Sequence, residues 1–173
     1  MLTASGANFG YRRTLPHLLG VEAGMVALFS AGAFGLGLLF EWMPSLHFFL
    51  KILGALFLLY LAYRIATSRK LDNQADMGKP LTLFEAAAFQ FINPKGLVIT
   101  ITTMSAWTTP GEAYLSSVIL LIIVFASVAF VTMSLWALFG TIIGRFLKEE
   151  RIYKIFNFTM AALLAMTVVY IIQ

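Results

Sequence analysis

Five long apolar runs, at 15–40, 46–66, 82–107, 114–144 and 152–172, constrain this 173-residue chain more than any other feature. A helix rises 1.5 Å per residue, so about 20 apolar residues cross a hydrocarbon core of about 30 Å. Each run is long enough to do so. Membrane strands are about 9–11 residues long and alternate in polarity, and these runs do neither. The expected fold is therefore all-α, a polytopic membrane bundle of five helical spans. Composition points the same way. With 60% apolar and 12% charged residues and a mean hydropathy of +0.88, the chain has more apolar surface than one domain of this length could hide from water.

Several chemistries are excluded by what the sequence lacks. There is no cysteine, which removes disulfides, thiolate metal sites and thiol nucleophiles, and His17 and His47 alone cannot build a histidine metal cluster. No G-x-x-x-x-G-K-[ST] loop is present, and Asp72 and Asp76 sit in one loop without a Ser-His partner set. No metal, cofactor or enzymatic activity is expected.

The net charge of +4 has a topological explanation. Ten of the 12 Lys and Arg residues fall in three places: Arg12 and Arg13; Arg64, Arg69, Lys70 and Lys79; and Arg145, Lys148, Arg151 and Lys154. The connections Glu41 to Ser45 and Thr108 to Ala113 contain none. Cytoplasmic loops carry the excess of basic residues, so the N-terminus is expected inside and the C-terminus outside, with no nucleic-acid partner. Trp42, Trp107 and Tyr114 then form an aromatic belt at the outer interface, and Lys51 snorkels outward from the second span.

The chain reads as one integral membrane domain, 1–173. Residues 67–81 form a cytoplasmic loop containing the polar residues Asp72, Asn73, Gln74 and Asp76. The part after it, 82–173, has three spans. The part before it, 1–66, has two, preceded by Met1 to Arg13, which is too short to cross. Measured against inverted three-helix repeats, 1–66 is an incomplete first repeat.

The chemistry-bearing stretch is Phe89-Gln90-Phe91-Ile92-Asn93-Pro94-Lys95-Gly96, in the middle of the third span. Pro94 removes a backbone donor and clashes with the carbonyl four residues earlier, so the helix is expected to break near Ile92 to Asn93. Backbone freed in a bilayer must be buried in protein or line a watery cavity. Asn93 can cap the break, and Lys95 puts a cation beside it. A lysine near the bilayer centre costs roughly 2.5–3.5 kcal/mol, which a carboxylate-bearing ligand or a proton-transfer step would offset. Snorkelling to the cytoplasmic interface is the competing reading. Beyond the break, Thr100 and Thr103 share a face among Thr102, Ser105, Thr108 and Thr109. These hydroxyls either line a polar route or bond to their own helix.

In the first span Glu22 lies between Gly20 and Gly24, a pair that permits close helix approach; Gly140 and Gly144 form a second such pair. Glu22 reads either as a proton carrier or counter-ion for Lys95, or as an acid favourable to a helix start capped by Thr14.

These residues resemble the LysE/RhtB superfamily of bacterial amino-acid exporters. The resemblance covers nearly the whole chain. It rests on Ser5-Gly6-Ala7-Asn8-Phe9-Gly10-Tyr11-Arg12-Arg13 leading to Gly20, on Lys51 to Ala62 with Gly54-Ala55 and Tyr60-Leu61-Ala62-Tyr63, and on Gln90 to Lys95, which is similar to the family's Asn-Pro-Lys signature. The length and the entry Tyr63 to Ser68 are most similar to the cysteine/O-acetylserine exporter branch. Family members open with a helix bearing a Pro-Gly-Pro-Asn-type motif, of which Met1 to Gly6 looks like the tail. The expectation is that Met1 is an internal methionine and that the native chain begins about one helix earlier.

What the resemblance implies is a multi-pass transporter of the bacterial cytoplasmic membrane, exporting amino acids or close derivatives by proton-coupled alternating access. On this reading the amino acid meets Asn93, Pro94, Lys95, Thr100 and Thr103, with Lys95 on the substrate carboxylate and Glu22 in coupling. The expected partners are the small-molecule substrate, membrane lipid and a second copy of the chain. A different class of function also fits the sequence, a truncated, non-transporting membrane protein that assembles through its glycine pairs.

Overall fold

The computed structural model describes residues 1–36, 44–67, 79–109, 111–147 and 149–172. Trp42, the loop residues Arg69 to Asp76, and Lys148 lie outside them, as do the side chains of His47 and Lys51. The described residues are helical with no strand: α1 (Leu2–Phe9), α2 (Tyr11–Ala31) with a π-helical turn Gly32–Leu36, α3 (Pro44–Ala66), α4 (Leu83–Ile92), α5 (Pro94–Trp107), α6 (Tyr114–Phe146) and α7 (Glu150–Ile172). Among the described residues three stretches, Tyr11–Gly35, Gly111–Phe146 and Glu150–Val169, are long and apolar enough to cross a membrane as single helices. The third expected span is two half-helices, α4 and α5, meeting at Asn93.

The segment before the first span is a helix in its own right. It ends at Gly10, whose φ of 76° is left-handed backbone that glycine adopts without a Cβ penalty. The chain turns there and restarts at Tyr11. Thr14 is therefore not the cap expected from the sequence. It lies inside α2, fully buried, donating to the Gly10 carbonyl at 2.9 Å and sharing a 3.1 Å bond with the Ser5 hydroxyl.

Lipid chains are as apolar as leucine, so helices in a bilayer associate by close packing rather than by expelling water. Both glycine pairs serve this end within the chain. Gly140 and Gly144 of α6 lie against the carbonyls of Thr3 and Ala7 of α1, and Gly6 lies against the carbonyl of Ala137. Gly20 and Gly24 of α2 lie against the carbonyls of Leu83 and Ala87 of α4. In each crossing a glycine pair four residues apart receives two carbonyls four residues apart in the same order, so each helix pair runs parallel. The Thr141 hydroxyl adds bonds of 3.2 Å to the Gly6 carbonyl and 2.9 Å to the Ala137 carbonyl.

The rest of the core among the described residues is three small clusters. Phe29 of α2, Met104 of α5 and Val118 of α6 form one. Leu61 of α3, Leu81 just before α4 and Ala86 of α4 form a second. Ala55 and Leu58 of α3, Phe89 of α4 and Val168 of α7 form the third, where the Phe57 and Phe89 rings stack with centroids 4.8 Å apart. Helix α6 contributes little of itself: of its 33 residues only Val118, Ala137 and Gly140 are buried. Its remaining face is the apolar exterior of the bundle.

Candidate functional site

Local chemistry places the break in the third span. Pro94 has no N–H, so the Gln90 carbonyl loses the donor a continuous helix would supply and takes the Asn93 N–H at 3.4 Å. Asn93, the residue before proline, is extended at φ −82°, ψ 105°. Its side-chain oxygen accepts from the Lys95 N–H at 3.2 Å, and its carbonyl accepts from Leu97 at 3.0 Å, so Asn93 closes α4 and caps α5. Pro94 takes the first position of α5, where a missing N–H costs nothing. The Asn93 amide reaches the Gln90 side-chain oxygen at 3.5 Å, and Gln90, itself buried, donates to Ala86 at 3.2 Å. Gly54 of α3 lets that helix lie against the Ile92 carbonyl, and a Cβ there would also meet the Pro94 ring at 3.1 Å. The break is thus enclosed by protein on the α3 side.

At the other end of α4, Thr82 and Glu85 form a capping box. The Thr82 N–H donates to the Glu85 carboxylate at 2.8 Å, and the Glu85 N–H donates to the Thr82 hydroxyl at 3.2 Å. Glu85 is therefore committed to the helix start.

The structure brings together some of the sequence-predicted residues and separates others. Asn93, Pro94 and Lys95 are contiguous at the break. The Lys95 side chain is exposed and has no ion-pair partner among the described residues. Thr100 is fully buried, its hydroxyl without a hydrogen-bond partner among the described residues and its methyl group packed on Gly32 of the π-helical turn. At 3.6 residues per turn, positions 95 and 100 lie about 140° apart, so Thr100 faces α2 while Lys95 faces away. Thr103 is half-buried. Thr102 and Thr108 bond to their own helix, at 2.7 Å to the Val98 carbonyl and 2.6 Å to the Met104 carbonyl. Glu22 is half-buried and not ion-paired with Lys95; it faces a notch between α2 and α6.

Sequence reasoning missed several buried polar residues, His17, Asn8 and the fully buried Asn157 of α7 among them. His17, read as a span-end residue, is buried at 3% exposure with both ring nitrogens unbonded among the described residues. Its spacing from Gly20 and Gly24 on one helical face was the available signal, since that face is the α2–α4 crossing. Asn8 is buried beside the α1–α2 corner with its side-chain oxygen unbonded among the described residues.

Helices that cross a bilayer repeatedly, one of them broken in mid-span beside a cation, define a multi-pass α-helical membrane protein with polar backbone at its interior. The chain belongs to the LysE type translocator family, which matches it over residues 1–173. It is accordingly a transporter and not an enzyme. It is similar to the cysteine/O-acetylserine efflux protein of Salmonella typhimurium strain LT2, 30% identical over 172 residues that are 98% of this chain and 83% of that protein. The protein of the same name in Escherichia coli K12 is 28% identical over 149 residues, 84% of this chain and 74% of that protein. No solved structure matches the chain.

Proposed function

We propose that this chain exports amino acids or close derivatives from the bacterial cytoplasm by proton-coupled alternating access, with cysteine and O-acetylserine the first substrates to try. The observation that carries the reading is the break at Asn93. A half-helix beginning inside the membrane presents the positive end of its dipole and its first N–H groups to an anion. Lys95, exposed at that same end, supplies a full charge for a substrate carboxylate. Asn93 and Pro94 fix where the half-helix starts, and Thr100 and Thr103 continue along it. Glu22 is the coupling group. The N-terminus lies inside and the C-terminus outside in the cytoplasmic membrane, with 1–66 and 82–173 acting as opposed repeats.

The test is efflux of a labelled amino-acid panel from loaded cells expressing the chain, beside a Lys95→Ala variant inserted to the same level. Efflux by the chain that falls at least about tenfold in the variant is the expected result, since removing one partner of a charge-assisted contact costs on the order of 1.5–3 kcal/mol. Equal rates in both, or no efflux by an inserted chain, would overturn the proposal.

A further inference from the structure

Glu22 stands near the middle of the span Tyr11–Gly35, where a carboxylate is costly without a partner. One of its oxygens, Oε2, is inaccessible and accepts no hydrogen bond among the described residues. Glu22 borders a notch walled by Met25 and Phe29 of α2 and by Ile122, Phe125 and Ala126 of α6. The Phe29 and Phe125 rings meet there with centroids 4.9 Å apart. The α6 wall has no titratable group. At the start of α2 Tyr11 donates to Ser134 at 3.2 Å and Arg12 and Arg13 are exposed; on the other packed elements Tyr114 donates to the Ala33 carbonyl, Glu85 is held in its capping box, and Lys95 is exposed. His17, on α2 itself, is buried and not bonded to Glu22.

We propose that Glu22 and this notch form a binding site for the primary ammonium group of a small amine, and that ammonium and proton occupy the carboxylate in turn. The walls decide the ligand. A hard metal cation needs about six oxygen ligands, and this notch offers one carboxylate and otherwise apolar surface. Its free space suits a group about the size of a water molecule, which matches an ammonium head and not a guanidinium. One ammonium N–H meets the Glu22 carboxylate through its other oxygen, the positive charge faces the Phe29 and Phe125 rings, and the alkyl stem lies on Met25 and Ile122. A protonated carboxyl has no charge to offer, so each ammonium that binds to the protonated site expels a proton: the Glu22 O–H bond breaks, the proton leaves to water, and the carboxylate pairs with the ammonium. As an amine site this stands alone. As the coupling step of export it rests on the exporter reading, with the substrate's own amino group as the amine.

The experiment uses the purified full chain in lipid nanodiscs and n-propylamine as the probe. Binding is followed by thermal stabilisation across a pH series, and proton release by an indicator dye in weak buffer. The expected result is affinity that rises with pH until Glu22 is ionised, with proton release on the rising limb. Glu22→Gln should lose both the slope and the release, and bind at least about tenfold more weakly. Ala126→Leu fills the notch without touching the carboxylate, and should also lose binding, which keeps the test decisive if Glu22→Gln fails to fold. Unchanged proton release in Glu22→Gln, or binding insensitive to both variants, would overturn the site. Efflux without amine binding would sink this inference and leave the exporter reading intact; amine binding with proton release but no efflux would do the reverse.

Discussion

Gly140→Ala sets two physical effects against each other, and the structure says which wins. In a helix interior alanine is favoured over glycine by about 1 kcal/mol, so propensity alone calls for stabilisation. The added methyl group would collide with the Thr3 carbonyl oxygen, and would lie 2.8 Å from its carbon and 2.9 Å from its Cα. All three are backbone atoms, so no rotamer change relieves the clash. Non-bonded carbons rest about 3.5–4.0 Å apart, and α1 must therefore lift from α6 by up to about 1 Å. Overpacking of this kind costs about 1–3 kcal/mol. Lifting α1 also lengthens the 3.2 Å bond from Thr141 to Gly6, but Thr141 keeps its 2.9 Å bond to Ala137, so that loss falls at the low end of about 0.5–1.5 kcal/mol. The net is a destabilisation of about 1–2 kcal/mol, opposite in sign to propensity. The assay is reversible unfolding in mixed detergent micelles followed by circular dichroism, with Gly96→Ala as comparator. A Cβ at Gly96 meets nothing nearer than 3.4 Å, an ordinary contact, so that variant should stay within about 0.5 kcal/mol of the parent. A Gly140→Ala protein as stable as the parent, or a Gly96→Ala protein that falls equally far, would refute the packing argument.

Three further perturbations have definite expected outcomes. Asn93→Ala removes the oxygen held at 3.2 Å by the Lys95 N–H and should cost about 1 kcal/mol in the same unfolding assay, with Asn93→Asp restoring most of it. Thr82→Ala dismantles the capping box at the start of α4 and should cost about 1 kcal/mol, whereas Thr82→Ser should stay close to the parent; equal losses in both would count against the capping role. Tyr114→Phe removes the hydroxyl that donates to the Ala33 carbonyl at 2.6 Å, which should cost about 1 kcal/mol and speed hydrogen exchange in the π-helical turn after α2 while leaving α4 unchanged.

Local chemistry was legible in the sequence, and long-range pairing was not. The apolar runs located the helices because a bilayer-crossing helix needs about 20 apolar residues. The break at Asn93 was readable because proline and the residue before it act within one turn of themselves. The fate of Met1 to Arg13 depended on a surface more than 100 residues away: Gly6, Thr3 and Ala7 have meaning only against Ala137, Gly140 and Gly144. Thr14 looked like a cap because threonine favours that position, yet the left-handed Gly10 gave α2 an earlier start. The opposite facings of Lys95 and Thr100 follow from counting residues from the break; the phase was in the sequence, but the partner each side chain faces was not. Glu22 is the clearest case, since its notch is half built by α6 and no feature near residue 22 points there.

The length of α6 has a consequence for the membrane around it. Its 33 residues make a rod of about 50 Å, and the hydrocarbon core to be crossed is about 30 Å. Standing upright, it would leave roughly two-fifths of an apolar helix outside the oil. Such a helix leans steeply, or draws a collar of thickened bilayer around itself, at a cost of fractions of a kcal/mol per ångström of mismatch. Because α6 grips α1 at one end and forms the Glu22 notch farther along, any change in its lean carries both with it. Acyl-chain length in the host membrane thereby becomes a variable acting on this protein's interior.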